Sequence, residues 1–313
     1  MKKCMFTFLP AALVILAVSS WAQTESGGLQ KHPGGVQYIT IDYPGSVTTT
    51  GAFDISPDGE IVGNYTGPDS VAYSFVTNGR TFRTLNLSDS FRVGRILRTW
   101  LQKLTPGGTS IVGTVVTEGA CPGCPDFMFQ GQYYGVVLNK GQVTKLQYPN
   151  AAYTTAYAIT CSGEVAGEYM IAGLAHGYRW SHGNFTTVDF PGAAWSSVLG
   201  INNHGEVTGW YTNHPDLTHP FHGYVLSKGR KYTIDGPGSN WTIAYDINDR
   251  GDVVGMYVGA DGVHGFLWRD GIVTTIDVPG AKGTQIYGIN DRGDMVGWYT
   301  TNGADSHGVL ITK

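Results

Sequence analysis

Four histidines in this chain each acquire an aspartate partner by the register of a hairpin. A two-residue turn at Lys228-Gly229 folds His222 opposite Asp235, and the same spacing sets His264 opposite Asp277 and His176 opposite Asp189. His307 has no later strand to meet, and its matching aspartate is Asp42, near the other end of the chain. Imidazole beside carboxylate serves general acid–base chemistry, an oriented metal ligand, or a plain charge-assisted hydrogen bond. A catalytic triad needs a placed nucleophile as well, and no Gly-x-Ser-x-Gly elbow occurs. Four equivalent copies on separate repeats do not converge on one active site or one ion, so a structural bond is expected, with no metal and no cofactor. Two further repeats carry Val71 and Tyr134 at the histidine position and Asn86 and Gln147 at the aspartate position. The two residue types are therefore gained and lost together.

The elements that position these pairs are short strands. From His264 to Tyr299 the chain reads HGFLW, an Asp270-Gly271 turn, IVTTIDV, a Pro279-Gly280 break, QIYGI, a turn at Asn290–Gly293, and MVGWY. The runs are β-branched and aromatic, and no window has helical periodicity. An Ile-Val-Gly-x-Tyr signature recurs with its glycine at Gly63, Gly113, Gly167, Gly209, Gly255 and Gly297, in steps of 42 to 54 residues. Its tyrosine is Tyr65, Tyr169, Tyr211, Tyr257 and Tyr299, and only the second repeat departs, with Val115. The sixth repeat ends at Lys313 without a fourth strand, while VQYITIDYPG (Val36 to Gly45) has the fourth-strand pattern and precedes every first strand. These observations predict an all-β fold, a six-bladed β-propeller of four-stranded blades, with Ile39–Tyr43 lying beside Val309–Ile311 to close the ring.

The His-Gly-aromatic elements at His176-Gly177-Tyr178, His222-Gly223-Tyr224 and His264-Gly265-Phe266, the related His307-Gly308-Val309, and the Gly-Ile-Asn-x-x-Gly-x-Val-Val-Gly-x-Tyr runs resemble the HAF-repeat extracellular proteins of bacteria, over roughly Val36 to Lys313. Ser56-Pro57-Asp58-Gly59 is similar to an element of TolB-like propellers. The resemblance implies a propeller and an extracellular location, and brings no established reaction.

Residues 1–22 read as a signal peptide: Lys2-Lys3, an apolar stretch from Phe6 to Val18, then small residues at Ser20 and Ala22. Residues 23–35 form a polar leader, and 36–313 the propeller, so a secreted or periplasmic monomer is expected, with no membrane span in the mature chain. The formal charge of −4 is close to balance and there is no basic patch, which excludes nucleic acid as a partner. Cys121-Pro122-Gly123-Cys124 reads as a small-loop disulfide between Cys121 and Cys124, and Cys161 falls in a turn on the opposite face. Asp54-x-Ser56-x-Asp58-Gly59 matches the opening of a calcium loop, but Tyr65 stands where the closing glutamate belongs, so a hairpin turn is expected.

The column four residues after each turn proline reads Thr48, Arg92, Tyr153, Trp195, Trp241 and Gly283. Tyr153, Trp195 and Trp241, with Arg92, either form a binding face around the channel or pack between blades, and His214, Asp216, His219 and Asp261 lie on neighbouring loops. Aromatic platforms stack on sugars or anchor protein partners. The expected function is a non-catalytic binding or scaffold module for an extracellular polysaccharide or surface protein. The alternatives are a glycan lyase or hydrolase, for which no carboxylate pair is evident, and a purely structural repeat protein.

Overall fold

The computed structural model describes residues 30–31, 35–85, 87, 96–105, 108–119, 121, 131–214, 220–303 and 305–313. The chain opens with β1 (Gln30–Lys31) and β2 (Gln37–Ile41). Four antiparallel meanders follow as separate sheets: β3 (Thr50–Ile55) to β6 (Phe82–Leu85) through β4 (Ile61–Thr66) and β5 (Ala72–Thr77); β7 (Ile96–Leu104), β8 (Ser110–Thr117), β9 (Gln132–Asn139) and β10 (Gln142–Leu146); β11 (Tyr153–Ile159), β12 (Val165–Ile171), β13 (Leu174–Ser181) and β14 (Asn184–Thr187); and β15 (Trp195–Ile201), β16 (Val207–Thr212), β17 (His222–Ser227) and β18 (Arg230–Ile234). The rest are β19 (Thr242–Ile247), β20 (Val253–Val258), β21 (Val263–Arg269), β22 (Ile272–Ile276), β23 (Gly283–Ile289), β24 (Met295–Thr300) and β25 (His307–Thr312), which join β1 and β2 in one nine-stranded sheet. The fold is an all-β propeller with four-stranded blades. No helix among the described residues is long and apolar enough to cross a membrane.

Six separate four-stranded sheets were expected; four are found, and the remaining nine strands form a fifth sheet. The reason is a single parallel bridge, Val263 to Gly283, which links β21 to β23. The same kind of bridge occurs at Phe221–Trp241 and Thr49–Ser306, there outside the named strands. Within the large sheet β2 pairs with β25, with Ile39 opposite Leu310 and Ile41 opposite Gly308. Gln30 and Lys31, from the stretch read as leader, add a further short strand against Tyr38 and Gln37.

Cores lie between consecutive meanders. Val62, Val76 and Leu85 pack against Leu101, Ile111 and Val136, and Ile41, Ala52 and Phe75 pack with Val296. Every residue of β8 is buried, whereas β14 is mostly exposed, as expected when inner and middle strands are covered on both faces and the outermost is not. Each first strand packs on the next, from β3 through β7, β11, β15 and β19 to β23, and β23 packs on β3.

The signature tyrosine joins neighbouring meanders. Tyr65 stacks on Tyr43 and Tyr169 on Tyr148, at 3.6 Å between centroids in each case, and Tyr211 stacks on Phe190 at 3.8 Å. Each partner is the residue following the preceding fourth strand's aspartate position. At Gly236 a Cβ would stand 2.1 Å from Cγ of Tyr257, so here the tyrosine ring occupies the partner's place. Each tyrosine hydroxyl also meets a threonine on the outer strand, among them Thr187, Thr233 and Thr275.

Candidate functional site

The first strand of every repeat carries a β-bulge at an equivalent point, and β7 has a second between Ile96 and Arg98. The register skips between Ala52 and Asp54, Leu101 and Lys103, Ala156 and Ala158, Val198 and Gly200, Ala244 and Asp246, and Ile286 and Gly288. Each skip leaves one residue unpaired and re-aims its side chain. The six residues are Phe53, Gln102, Tyr157, Leu199, Tyr245 and Tyr287, and all six line a single cavity of about 400 Å³ along the axis. Asn64, Trp100, Trp210 and Ile243 complete its wall. Sequence reading missed this ring, although it carried the signal. The signature glycine stands opposite the bulge because a Cβ there would fall about 2 Å from a carbonyl of the first strand, 2.1 Å from Thr155 at Gly167 and 1.9 Å from Ser197 at Gly209. An isolated glycine within a strand marks such a site.

The floor of the cavity is charged. Lys103 Nζ donates to both carboxylate oxygens of Asp246, at 2.6 and 2.7 Å, and lies 3.2 Å from Asp54 Oδ1. Asp54 accepts from the Leu104 amide at 3.0 Å and Asp246 from the Ile289 amide at 2.9 Å, so each carboxylate also pins the backbone of the next repeat's first strand. The ion contact is the sole partner of Asp54 Oδ1, which makes no well-aligned hydrogen bond among the described residues. Burial pushes the Asp54 carboxyl up to about 6, with Lys103 opposing and Asp246 adding to the rise. Burial works against charge on Lys103, but Asp246 and Asp54 outweigh it and raise its pKa. Asp54 is therefore a buried channel residue and not a ligand of a calcium loop. The turn after it is held by Ser56 Oγ, which accepts from the Glu60 amide.

Beyond Lys103 a smaller space of about 70 Å³ is ringed by turn residues. There Asn202 Nδ2 donates to the Asn248 carbonyl, Asn248 to Asn290, and Asn290 to Ser56, at 3.0 to 3.2 Å. Cys161 sits at the same mouth, its amide donating to Asn203 Oδ1.

Tyr153 and Trp195, candidates for the binding face, are buried at 4 % and 8 % exposure in a cluster with Tyr133 and Met170. They pack between sheets because they begin first strands whose edges are covered on both sides. The Tyr153 hydroxyl donates to Glu168, a carboxyl that burial raises. Trp241 is half-buried, edge-on to Phe221 at 4.5 Å. Arg92, Asp216, His219 and Cys124 lie outside the described residues. Cys121 is disulfide-bonded.

The four His–Asp pairs are hydrogen-bonded through Nδ1: His176–Asp189 at 2.9 Å, His222–Asp235 and His264–Asp277 at 2.8 Å, and His307–Asp42 at 3.1 Å. An ionised carboxylate only accepts, so Nδ1 carries the hydrogen. Each ring also lies 5.1 to 5.4 Å from the signature tyrosine. Among the described residues, His264 is the one of the four that bonds a second carboxylate, Asp261, through Nε2 at 2.9 Å. In the first repeat the equivalent residue is Tyr73, opposite Tyr65, and not Val71. The β5–β6 turn has four residues between paired Thr77 and Phe82, which shifts the register by two. The other repeat without histidine keeps Tyr134, with the Lys145 ammonium 3.4 Å from its ring centre.

No protein-family model matches the sequence, and no curated protein is similar to it. Among solved structures, the acylaminoacyl peptidase of Pyrococcus horikoshii matches at 13 % identity over 88 % of this chain and 46 % of that one, with a TM-score of 0.53. The β-propeller domain of the Trilobed protease from Pyrococcus furiosus, described as having an open velcro topology, matches at 12 % identity over 88 % of this chain and 84 % of that one, with a TM-score of 0.51. The chain thus spans less than half the length of the first of these. A lectin of Aleuria aurantia follows at 11 % identity over 78 % of this chain and 92 % of that one, and its TM-score of 0.47 is too low to bear on the argument. The likeness supports the propeller fold alone.

Proposed function

We propose that this chain is a secreted, non-catalytic binding propeller whose ligand is an extracellular glycan held in the axial cavity. In this reading the nine-stranded sheet is two blades, giving six in all, and β2 closes the ring beside β25. The β2–β25 ladder and the Asn290–Ser56 bond support that closure. The repeat motifs support affiliation with HAF-repeat proteins and export through residues 1–22.

One observation carries the functional reading. The cavity wall is built from Phe53, Trp100, Tyr157, Trp210, Tyr245 and Tyr287 with the amides of Asn64 and Gln102, while its charged residues satisfy one another. Aromatic faces with a few convergent uncharged polar groups suit a ligand that is apolar on its ring faces and hydroxylated at its rim. Burial raises the phenols of Tyr157, Tyr245 and Tyr287, so they remain neutral hydrogen-bonding groups. The hydrolase alternative loses ground here. The two carboxylates of the bore both meet Lys103 and backbone amides, so they are held together in one cluster and not set apart on opposite sides of a sugar.

The test is a glycan array probed with wild type, Trp210→Ala and Trp241→Ala. Binding lost in Trp210→Ala and kept in Trp241→Ala supports the axial site. Loss only in Trp241→Ala returns the site to the loop face, and a wild type that binds no glycan ends the reading.

A further inference from the structure

We propose, resting on the glycan reading, that the axial cavity is a blind cup that takes the terminal residue of a neutral glycan end-on and does not accept the interior of a chain. Lys103 lines both the 400 Å³ space and the 70 Å³ space beyond it. It arises on β7, which packs beside β3 and β11, and reaches Asp246 on β19, which packs beside β15 and β23. The side chain therefore crosses the bore and divides it. A polymer entering where the first strands begin meets this bridge and cannot thread through.

The wall shape argues the same way. The bulged residues come from all six first strands, so they surround a ligand on every side instead of offering an open groove. A chain held at its middle has two exits to accommodate, and a closed collar provides one. A space of about 400 Å³ is of the size that takes a small ligand, so it holds the end of a glycan and not a long stretch of one.

The charge pattern selects neutral sugars. The Lys103 ammonium bonds both oxygens of Asp246 and lies 3.2 Å from Asp54 Oδ1, so its charge is already matched by two carboxylates and is not free to recruit a uronate or sulfate. The two aspartates share that ammonium and two backbone amides, and a hexosamine would compete with Lys103 for them.

The experiment immobilises neutral hexasaccharides (α- and β-glucan, β-mannan, β-galactan) either through the reducing end, leaving the other terminus free, or through a mid-chain residue with both termini capped. Methyl glycosides of the same sugars serve as competitors. The expected result is binding to the free-terminus form, at least about tenfold weaker binding to the capped form, and displacement by a single methyl glycoside. Leu199→Trp, which fills the cup from a wall position, and Trp210→Ala should both abolish binding, and the pair guards against a single variant that misfolds. Equal binding to both presentations overturns the cup and leaves the glycan reading standing. Equal binding to the corresponding uronate overturns the neutral preference. No binding to any member overturns both.

Discussion

Lys103 Nζ lies 2.6 Å from Oδ1 of Asp246, a residue 143 positions later on a strand that does not neighbour its own. The bond crosses the channel and ties opposite sides of the molecule. Removing one partner of a buried pair leaves an uncompensated charge, at a cost of about 3–5 kcal/mol. Lys103→Met should lose that much stability by urea denaturation, and a loss under half of the lower figure would mean the bridge is not buried as described.

Asp54 makes a prediction of opposite sign. Its pKa is raised to about 6, so the fold favours its neutral form. The stability it contributes is full below the unfolded value near 3.8 and is lost as pH rises through about 6. Asp54→Asn keeps an acceptor for the Leu104 amide and leaves Lys103 with Asp246 alone. The variant should match or exceed wild type at pH 7 and lose that advantage at pH 4, on the order of 2 kcal/mol. Parallel curves for the two proteins would refute the assignment.

The Asp252–Arg269 pair behaves conventionally. Arg269 Nε and Nη2 donate to Asp252 Oδ1 and Oδ2 at 2.6 and 2.7 Å. Burial raises the Asp252 carboxyl, but Arg269 and Asn248 outweigh it and the net shift is downward. Its stabilisation is present above the ordinary carboxylate value and lost as pH falls through the lowered one. Arg269→Lys forfeits the fork and should cost about 1 kcal/mol at pH 7, a difference that fades in acid. A constant difference down to pH 2 would exclude it.

His264 should respond in the range of neutral pH. Burial lowers its pKa, and the bonds to Asp277 and Asp261 outweigh burial, so the net direction is up from 6.5. The contribution is complete below 6.5 and declines as pH climbs through the higher folded value. Both partners are well exposed, so screening holds it to about 1 kcal/mol or less. The stability gap between wild type and His264→Ala should narrow from pH 6 to pH 8.5, and a gap independent of pH in that window would rule the ion pair out.

The tyrosine stacks predict two substitutions with unlike causes. Tyr148→Ala removes the ring lying 3.6 Å from Tyr169 and should cost about 2–4 kcal/mol. Gly236→Ala inserts a methyl where Tyr257 already sits and should cost about 1–3 kcal/mol by overpacking. A neutral Gly236→Ala in thermal denaturation would show that Tyr257 does not fill that space.

The His–Asp pairs were legible because a two-residue turn sets a hairpin's register, and register alone names the partner across the ladder. The same arithmetic misplaced Val71 for Tyr73, since Asn78-Gly79-Arg80 belongs to a longer turn. For Tyr153 and Trp195 sequence leaves an exposed platform and packing between blades both open, because an aromatic at a strand's start looks the same whether a neighbouring sheet covers it or not, and the structure buries both.

The amino-acid sequence by itself determined the strand repeat, the hairpin partners and the wandering fourth strand at Gln37–Ile41, because turn chemistry and two-residue alternation act over a few bonds. Tertiary structure decided which residues face the axis. A bulge rotates one side chain out of the ladder without altering the repeat, and it brought Phe53, Tyr157, Tyr245 and Tyr287 together. The bridge from Lys103 to Asp246 likewise depends on how distant sheets are brought together, a relation that no local pattern encodes.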